Sequence, residues 1–206
     1  AGTGRVTVAL VEASVRPICV DSSPDMLAHL SRKLSDRLPE VVCADARALP
    51  FDKSFDLAIL PFNSFSELVA EEDRLAALGS IHAALNPRGR FICTLHNPAV
   101  RLQSVGRDPQ VFGGSSGDGE VTLEVVTEFD AERRVVTGVE TFRVRADGEI
   151  REEVAVPLEF SLPSASWFSQ AARAAGFTIQ SLFGDYDRSD YDEESSRFMI
   201  WCLEKA

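Results

Sequence analysis

Two glycines near the start of the chain lie where a backbone suits ligand contact. Gly2 and Gly4 belong to an Ala-Gly-Thr-Gly-Arg turn that leads into a segment of helical length. Glycine lacks a Cβ atom, so such a turn can approach a ligand closely and adopt positive φ. The first N–H groups of the following helix then point at the ligand. Alone the turn is a weak signal, because many tight turns share its composition.

Asp21 follows an apolar run over residues 18–20 and gives the turn a chemical meaning. We expect it at the carboxyl end of a strand beside the glycine turn, where its carboxylate accepts hydrogen bonds from the hydroxyls of a ribose. Proteins that bind NAD and proteins that bind other nucleosides share this arrangement. The alternative is a structural role in capping the next helix.

A second acid, Asp45, separates these two kinds of site. It follows a short predicted strand over residues 41–43. Its carboxylate is placed to accept from the exocyclic amine of an adenine, while the N–H of Ala46 donates to the ring. The alternative interpretation of Asp45 is a turn-forming aspartate.

Composition limits the partners of the chain. Its 206 residues, 45% of them hydrophobic, are enough for one domain with an insertion. A net charge of −11 disfavours nucleic acid, which is bound through Lys and Arg. No apolar run is long enough to span a membrane and no signal peptide precedes the glycine turn, so we predict a cytoplasmic protein. The four cysteines lack the spacing of metal ligands, so we predict reduced thiols and no metal.

The elements that position these residues alternate between helix and strand over the first 96 residues. Strands are predicted over 17–20, 41–43, 55–60 and 91–95. Helices are predicted over 7–13, from Pro24 with Ser23 as its cap, and before residue 86. The apolar stripes of the last two helices are Met26, Leu27, Leu30 and Leu34, and Leu75, Leu78, Ile81 and Leu85. Such alternation predicts a doubly wound α/β fold with a parallel sheet.

After residue 96 the pattern changes to the alternation of antiparallel strands. Residues 113–117 are predicted as a flexible loop, followed by strands over 121–129, 135–144 and 150–160, the last with one mostly apolar face at its even positions. We predict an antiparallel insertion over residues 97–160 that covers a substrate site and offers a homodimer contact. Residues 1–96 and 161–206 form the core, which ends with a helix over 164–175 and strands over 177–183 and 198–203.

In order and spacing, these segments resemble the class I S-adenosylmethionine-dependent methyltransferases that act on small molecules. The segments that carry the resemblance lie at residues 1–5, 20–27, 45–51, 55–58, 85–91, 175–177 and 184–186. The resemblance implies a Rossmann-like methyltransferase sheet with a closing β-hairpin, S-adenosylmethionine as cofactor, and a small-molecule acceptor methylated at nitrogen or oxygen.

The resemblance also implies roles for individual residues. Gly2 and Gly4 would line the amino-acid and ribose portion of the cofactor, and Asp21 would hold the ribose. Asp45 and Ala46 would hold the adenine. Met26 would pack near the base, and the sulfonium would lie near residues 61–64, beginning at Pro61.

Two polar residues are candidates for the chemistry of methyl transfer. His96 follows a strand that ends at the active-site edge, and a neutral imidazole accepts a proton at working pH. The alternative for His96 is a hydrogen-bonding role in a loop. Asn63 is placed to orient an amine or a cofactor group, with a turn residue as its alternative. Phe62 and Phe65 are candidates for a cation–π contact, although packing is the usual role of such residues.

One departure from the family concerns the sheet. The family has a strand and an acid immediately before the glycine turn, and without that strand the sheet has a gap. We therefore expect residues upstream of Ala1 in the natural protein. The alternative is a fragment with impaired cofactor binding. Two other functions stay open at this point: an NAD-dependent oxidoreductase, which gives no role to Asp45, and a non-catalytic module of the same fold.

Overall fold

The computed structural model describes residues 1–34, 39–107, 110–116 and 119–206. The elements are, in chain order, α1 (Arg5–Glu12), β1 (Ile18–Asp21), α2 (Pro24–Lys33), β2 (Glu40–Cys43), β3 (Phe55–Leu60), α3 (Glu71–Ala84), β4 (Leu85–His96), α4 (Pro98–Leu102), β5 (Gln110–Ser116), β6 (Gly119–Asp130), β7 (Val135–Ala146), β8 (Glu149–Ser161), α5 (Ala165–Ala174), β9 (Phe177–Phe183) and β10 (Phe198–Lys205). Short 3₁₀ turns cover Ala46–Ala48 and Ser64–Glu67. No helix in the described ranges is long and apolar enough to cross a membrane.

Strands β1 and β2 form a parallel pair in which Asp21 lies opposite Cys43. Helix α2 connects them and begins as predicted, because the Ser23 hydroxyl accepts from the N–H of Met26 at 3.3 Å and Pro24 occupies the first turn. Leu27 and Leu30 pack on this pair. Met26 does not share their burial and is 44% exposed. The apolar stripe of α2 is therefore narrower than its sequence suggests.

A second sheet has the strand order β3-β4-β10-β9. Strand β4 runs parallel to β3 and antiparallel to β10, which in turn pairs antiparallel with β9. The predicted closing pair is therefore confirmed. Helices α3 and α5 bury their apolar stripes on this sheet, with Leu78, Phe91, Phe168 and Trp201 in one core cluster.

Strands β1 and β3 belong to different sheets, and no described strand pairs with both of them. Leu57 on β3 is 54% exposed. A contact nevertheless joins the two parts, because the guanidinium of Arg5 lies 4.8 Å from the ring centroid of Phe62. This contact brings the start of α1 next to the loop that follows β3.

The boundary between α3 and β4 corrects two predictions. Leu85 begins β4 instead of completing the helical stripe, because its backbone is already extended and it pairs with Phe55. Leu75 is 43% exposed, since Ala77, Leu78, Ile81 and Ala84 supply the face that α3 buries. Gly89 is required in this connection because a Cβ there would meet the Asn86 carbonyl oxygen at 2.8 Å.

The segment after α4 forms a four-stranded antiparallel sheet in the order β5-β6-β7-β8. The three predicted strands are confirmed, but the loop predicted over residues 113–117 is wrong for residues 113–116, which belong to β5. Gly113 pairs with Thr122 there, because the ladder with β6 overrides the low strand propensity of glycine. Gly117 lies outside the described residues.

One face of this sheet is mostly apolar, although Glu140 lies on it between Val125 and Val156. Val154 lies opposite Phe142, and Phe142 lies opposite Leu123. The base of the face is buried around Phe160, whereas Val154 is 45% exposed at the outer end. A register shift places Ile150 opposite Arg145 instead, so the prediction that Ile150 shares this face is wrong.

Candidate active site

The glycine turn is bound directly to the Asp21 carboxylate. The N–H of Gly2 donates to Oδ2 at 2.7 Å, and the N–H of Ser23 donates to Oδ1 at 2.9 Å. Burial alone would raise the pKa of Asp21, but the hydrogen bonds from Ser23 and Gly2 outweigh it, and the pKa lies below its usual value. Asp21 is therefore ionised at neutral pH. A carboxylate has about four lone-pair sites. Gly2, Ser23 and the amino group of Ala1, at 3.1 Å from Oδ2, occupy three of them, so a ribose diol would take the remaining site and displace the Ala1 contact.

The two glycines of the turn have different roles. Both have left-handed backbones, with φ of 55° at Gly2 and 88° at Gly4. A Cβ on Gly4 would collide with the buried Leu30 side chain, so packing of α1 on α2 requires glycine there. A Cβ on Gly2 would meet nothing within 4 Å. Gly2 thus faces open space beside an ionised carboxylate, which suits a bound ligand.

Asp45 lies at the same sheet edge as Asp21. The N–H of Ala44 donates to the backbone carbonyl of Asp21 at 3.1 Å, which fixes the two strand ends side by side. Ala46 begins the 3₁₀ turn that Asp45 caps through the N–H of Arg47 at 2.8 Å. Asp21 and Asp45 therefore lie at the same edge of the β1–β2 pair, as a shared ligand site requires.

The Asp45 carboxylate is already engaged by Arg47. The Arg47 Nη2 donates to Oδ2 at 2.6 Å, and Nη1 of the same guanidinium reaches Asp73 at 2.8 Å. Side-chain and backbone hydrogen bonds from Arg47 lower the pKa of Asp45. An adenine amine reaches this carboxylate only in exchange for one Arg47 contact. Asp45 therefore has the turn-forming role that was its alternative interpretation, and it lies where an adenine ring could bind.

The loop after β3 holds a strained turn. Phe62 and Asn63 both have positive φ, at 58° and 62°, although neither is glycine. Such a backbone costs about 1–2 kcal/mol per residue and is concentrated at functional sites. Asn63 Oδ1 and Ser66 Oγ are buried and have no hydrogen-bond partner among the described residues. Buried polar atoms normally have partners, so these two are available to a ligand.

Glu67 ends the same turn and was missed by sequence reasoning. Partial burial and the negative charge of Asp21 raise the pKa of Glu67. Asp21 and Glu67 therefore interact electrostatically, although each belongs to a different strand end. Nothing in the sequence distinguishes Glu67 from the other members of a set of 32 acidic residues. Its position shortly after Asn63 is the only signal.

His96 ends β4 against the base of the insertion. Its ring lies 5.3 Å from that of Phe160, and the guanidinium of Arg101 lies over the same phenylalanine at 5.2 Å. Burial, together with the charge of Arg101, lowers the pKa of His96 to about 4. His96 is therefore neutral at pH 7 and is a weak base. It suits acceptance of a hydrogen bond better than removal of a proton.

The remaining predicted residues also lie at carboxyl ends of strands. Met26 is exposed in the first turn of α2, just beyond β1, and Pro61 directly follows β3. The predicted set thus occupies the ends of four strands: Gly2, Gly4, Asp21 and Met26 around β1, Asp45 and Ala46 after β2, Pro61 and Asn63 after β3, and His96 on β4. Binding at this edge is the rule for doubly wound sheets.

Comparison with known proteins agrees with this geometry. A family model described as a methyltransferase domain matches residues 1–89. The cypemycin N-terminal methyltransferase of Streptomyces sp is 29% identical over 99% of this chain and 80% of its own length. The glycine/sarcosine N-methyltransferase of Parasynechococcus marenigrum (strain WH8102) is 31% identical, covering 99% and 69% respectively. An S-adenosylmethionine-dependent methyltransferase from Clostridium acetobutylicum ATCC 824 has the same fold, with a TM-score of 0.84 at 18% identity over 100% of this chain and 81% of that chain.

The chain therefore belongs to the class I S-adenosylmethionine-dependent methyltransferases. It is an enzyme of the small-molecule type, and S-adenosylmethionine is its cofactor, as predicted. The residues present fit this cofactor, because a Cβ on Gly2 would meet nothing within 4 Å and the N–H of Gly2 donates to an ionised Asp21. Neither the NAD-dependent oxidoreductase nor the non-catalytic module receives support.

Proposed function

We propose that this enzyme methylates the nitrogen of a small amine. The observation that carries the proposal is that both relatives aligned over 99% of the chain are N-methyltransferases. The chemistry of His96 supports it. A neutral amine attacks without further activation, whereas a hydroxyl usually needs a strong general base or a metal. An imidazole with a pKa of about 4 is a poor base for a hydroxyl.

We further propose the cofactor contacts implied by the family resemblance. Asp21 accepts from the ribose hydroxyls, and Gly2 and Gly4 shape the turn beside the ribose and amino-acid portion. Asp45 and the N–H of Ala46 contact the adenine edge, with Met26 against the base and Pro61 near the sulfonium. The hydrogen bonds at Asp21 and the open space over Gly2 support this assignment.

The proposed chemistry of the site depends on charge and orientation. Bound S-adenosylmethionine supplies an electrophilic methyl group on a positively charged sulfur. Asp21 and Glu67 provide the negative field that favours a cation in this site. Asn63 Oδ1 accepts an N–H of the amine and aims the nitrogen lone pair. The Glu67 carboxylate would take up the proton that the methylated amine releases and pass it to solvent.

We propose that the insertion over residues 97–160 covers the acceptor. Phe160 contacts His96, and the Ser161 hydroxyl donates to the backbone carbonyl of Ser66 at 3.0 Å, which supports this role. The exposed outer part of its apolar face, around Phe142 and Val154, supports a homodimer. The cytoplasmic location, the absence of a metal and the exclusion of nucleic acid stay predictions from the sequence.

The test of N-methylation uses paired acceptors. The enzyme is incubated with S-adenosylmethionine and glycine, sarcosine, or a short peptide with a free amino terminus, and products are identified by mass spectrometry. The matched control is the same peptide with an acetylated amino terminus. We expect methylation of at least one amine and none of the blocked peptide. Methylation confined to hydroxyl acceptors would overturn the proposal.

A further inference from the structure

A cavity of about 240 Å³ lies outside the cofactor site, where the insertion returns to the core. Its floor is formed by Ser161, Leu162 and Pro163, and its walls carry Arg74 and Arg134. A water molecule occupies about 30 Å³ of liquid and pockets for drug-sized ligands begin at about 300 Å³, so this cavity suits a small ion or one functional group. Asp21, Asp45 and Gly2 do not line it.

Arg74 is a fixed positive charge in the wall. Its Nη1 donates to the backbone carbonyls of Leu68 at 2.9 Å and Val69 at 2.6 Å. Its guanidinium lies 4.7 Å from the ring centroid of Trp167, which also lines the cavity. These contacts hold the charge in place without neutralising it, because a carbonyl and an aromatic ring carry no formal charge.

Arg134 faces the cavity from the turn between β6 and β7. Its φ of 54° is left-handed, and the turn is held because the N–H of Leu162 donates to the Arg134 carbonyl at 3.1 Å. Its Nη2 makes a long contact of 3.4 Å to the Leu162 carbonyl. Guanidinium carries five N–H donors, and within the described ranges no carboxylate pairs with Arg134. Its donors are thus available at the cavity mouth.

The charged lining of the cavity consists of three arginines and two glutamates. Arg133 is a third arginine at the rim and is paired with Glu159 at 3.1 Å. Glu71 and Glu132 also line the rim and oppose the positive charge in part. Three guanidinium groups around one small cavity are nevertheless unusual in a chain of net charge −11.

We propose that this cavity binds a small oxyanion, a carboxylate or phosphate group, through the guanidinium groups of Arg134 and Arg133 beside the fixed charge of Arg74. Guanidinium N–H groups match the oxygen spacing of both anions and form short charged hydrogen bonds with them. The anion is either the acidic group of an acceptor molecule or a free ion.

One residue of the cavity lining, Ser161, also contacts the turn beside the candidate active site. Ser161 in the floor donates to the backbone carbonyl of Ser66 at 3.0 Å and of Leu68 at 3.3 Å. Ser66 belongs to the 3₁₀ turn that carries Glu67. Ser161 therefore connects the cavity lining to the turn that carries Glu67.

Nuclear magnetic resonance tests the proposal without any need for activity. The chain has two tryptophans, of which Trp167 lines the cavity and Trp201 is buried in the core. Inorganic phosphate, or sodium acetate in a second series, is added to the full chain at low salt. We expect a saturable shift of the Trp167 indole N–H signal and no shift of the Trp201 signal.

Three variants, each with a charged side chain replaced by glutamine, test whether the anion binds in this cavity. Arg134→Gln weakens phosphate binding about tenfold or more, because charged hydrogen bonds are lost. Glu132→Gln tightens it about two- to fivefold, because a repelling rim charge is removed. Arg151→Gln is the control, since its ion pairs with Asp147 and Glu149 lie outside the cavity, and we expect no change. Thermal unfolding of each variant verifies folding.

Two results would overturn the proposal: no saturation for either anion in the wild type, or equal affinities in the wild type, Arg134→Gln and Glu132→Gln. The source of the anion follows from competition. If the anion is part of the acceptor, phosphate raises the acceptor KM in the methylation assay. If it is a free ion, the KM stays unchanged. Failure of methylation itself would leave the resonance result standing, so the two proposals fail separately.

Discussion

The N–H of Gly2 donates to the Asp21 carboxylate at 2.7 Å, so the glycine turn and the end of β1 form one unit. The hydrogen bond fixes the turn beside the carboxylate that we propose binds the cofactor ribose, and it helps to lower the pKa of Asp21. A change on either side therefore affects cofactor affinity, even where the fold is preserved.

The two glycines of the turn predict opposite effects of the same substitution. Gly4→Ala introduces a clash with Leu30 and a left-handed alanine, and we expect a loss of about 1–3 kcal/mol in the free energy of unfolding. Gly2→Ala adds a methyl group to open space, so stability falls by no more than about 1–2 kcal/mol from backbone strain. The larger effect of Gly2→Ala is on cofactor affinity, because the methyl group enters the cofactor space.

Chemical denaturation and calorimetric titration with S-adenosylhomocysteine separate these effects. The account predicts that Gly4→Ala has the lower stability of the two. It predicts that Gly2→Ala is folded but binds S-adenosylhomocysteine more weakly than Gly4→Ala does. Equal affinities in Gly2→Ala and the wild type would remove the glycine turn from the cofactor site.

Glu67 predicts discrimination between the charged and the neutral form of the cofactor. S-adenosylmethionine carries a sulfonium and S-adenosylhomocysteine a neutral sulfur, so Glu67→Gln weakens binding of the first more than of the second. We expect the ratio of the two dissociation constants to change about two- to fivefold, typical of a partly screened charge pair. Glu40→Gln, on the exposed start of β2, is the matched control. An unchanged ratio in Glu67→Gln would remove this carboxylate from the site of the sulfonium.

His96 predicts a pH dependence of stability. Its pKa is about 4 in the folded protein and 6.5 ordinarily, so between these values the unfolded chain binds the extra proton. Stability is therefore lost as the pH falls from 6.5 towards 4, by up to about 3 kcal/mol at about 1.4 kcal/mol per pH unit. Denaturation of the wild type and His96→Gln at pH 7, 5.5 and 4.5 measures the difference. Parallel losses of stability in the two proteins would contradict the assignment.

Asp45 predicts recognition of the adenine amine. The wild type should bind S-adenosylhomocysteine about tenfold or more tightly than S-inosylhomocysteine. The inosine carbonyl is an acceptor in place of the adenine amine, so it cannot donate to the Asp45 carboxylate. Asp45→Ala should reduce this preference to within about twofold. The ratio is insensitive to a general loss of affinity from the missing cap of the 3₁₀ turn. A preserved tenfold preference in Asp45→Ala would assign Asp45 to its turn and its Arg47 pair alone.

Elements with a strong local pattern could be read from the sequence. Strand β3 and the capped start of α2 match their predictions, since a mostly apolar run and a Ser-Pro cap are encoded within a few residues. Strand β5 could not be predicted, because its glycines and serines become a strand only through pairing with β6. Leu85 fits the helical stripe equally well in sequence and is decided by its pairing with Phe55.

The site divides in the same way. Gly2, Asp21 and Asp45 could be located because each lies at, or within a few residues of, the end of a helix or strand. Other features of the site depend on side chains that meet only in the folded chain. They are the hydrogen bond from Arg47 to Asp45, the buried Asn63 Oδ1 without a partner, and the effect of the Asp21 charge on the pKa of Glu67. The neutral state of His96 depends on Phe160 and Arg101, which lie in or beside the insertion.

The central claim is that one ionised carboxylate at the end of β1 holds the sugar of S-adenosylmethionine. Calorimetric titration of S-adenosylhomocysteine into the wild type, Asp21→Asn and the exposed control Asp52→Asn tests it most directly. We predict saturable binding to the wild type and Asp52→Asn, and an affinity about tenfold or more lower in Asp21→Asn, since hydrogen bonds to a charged group are lost. Undiminished affinity in a folded Asp21→Asn protein would contradict the claim.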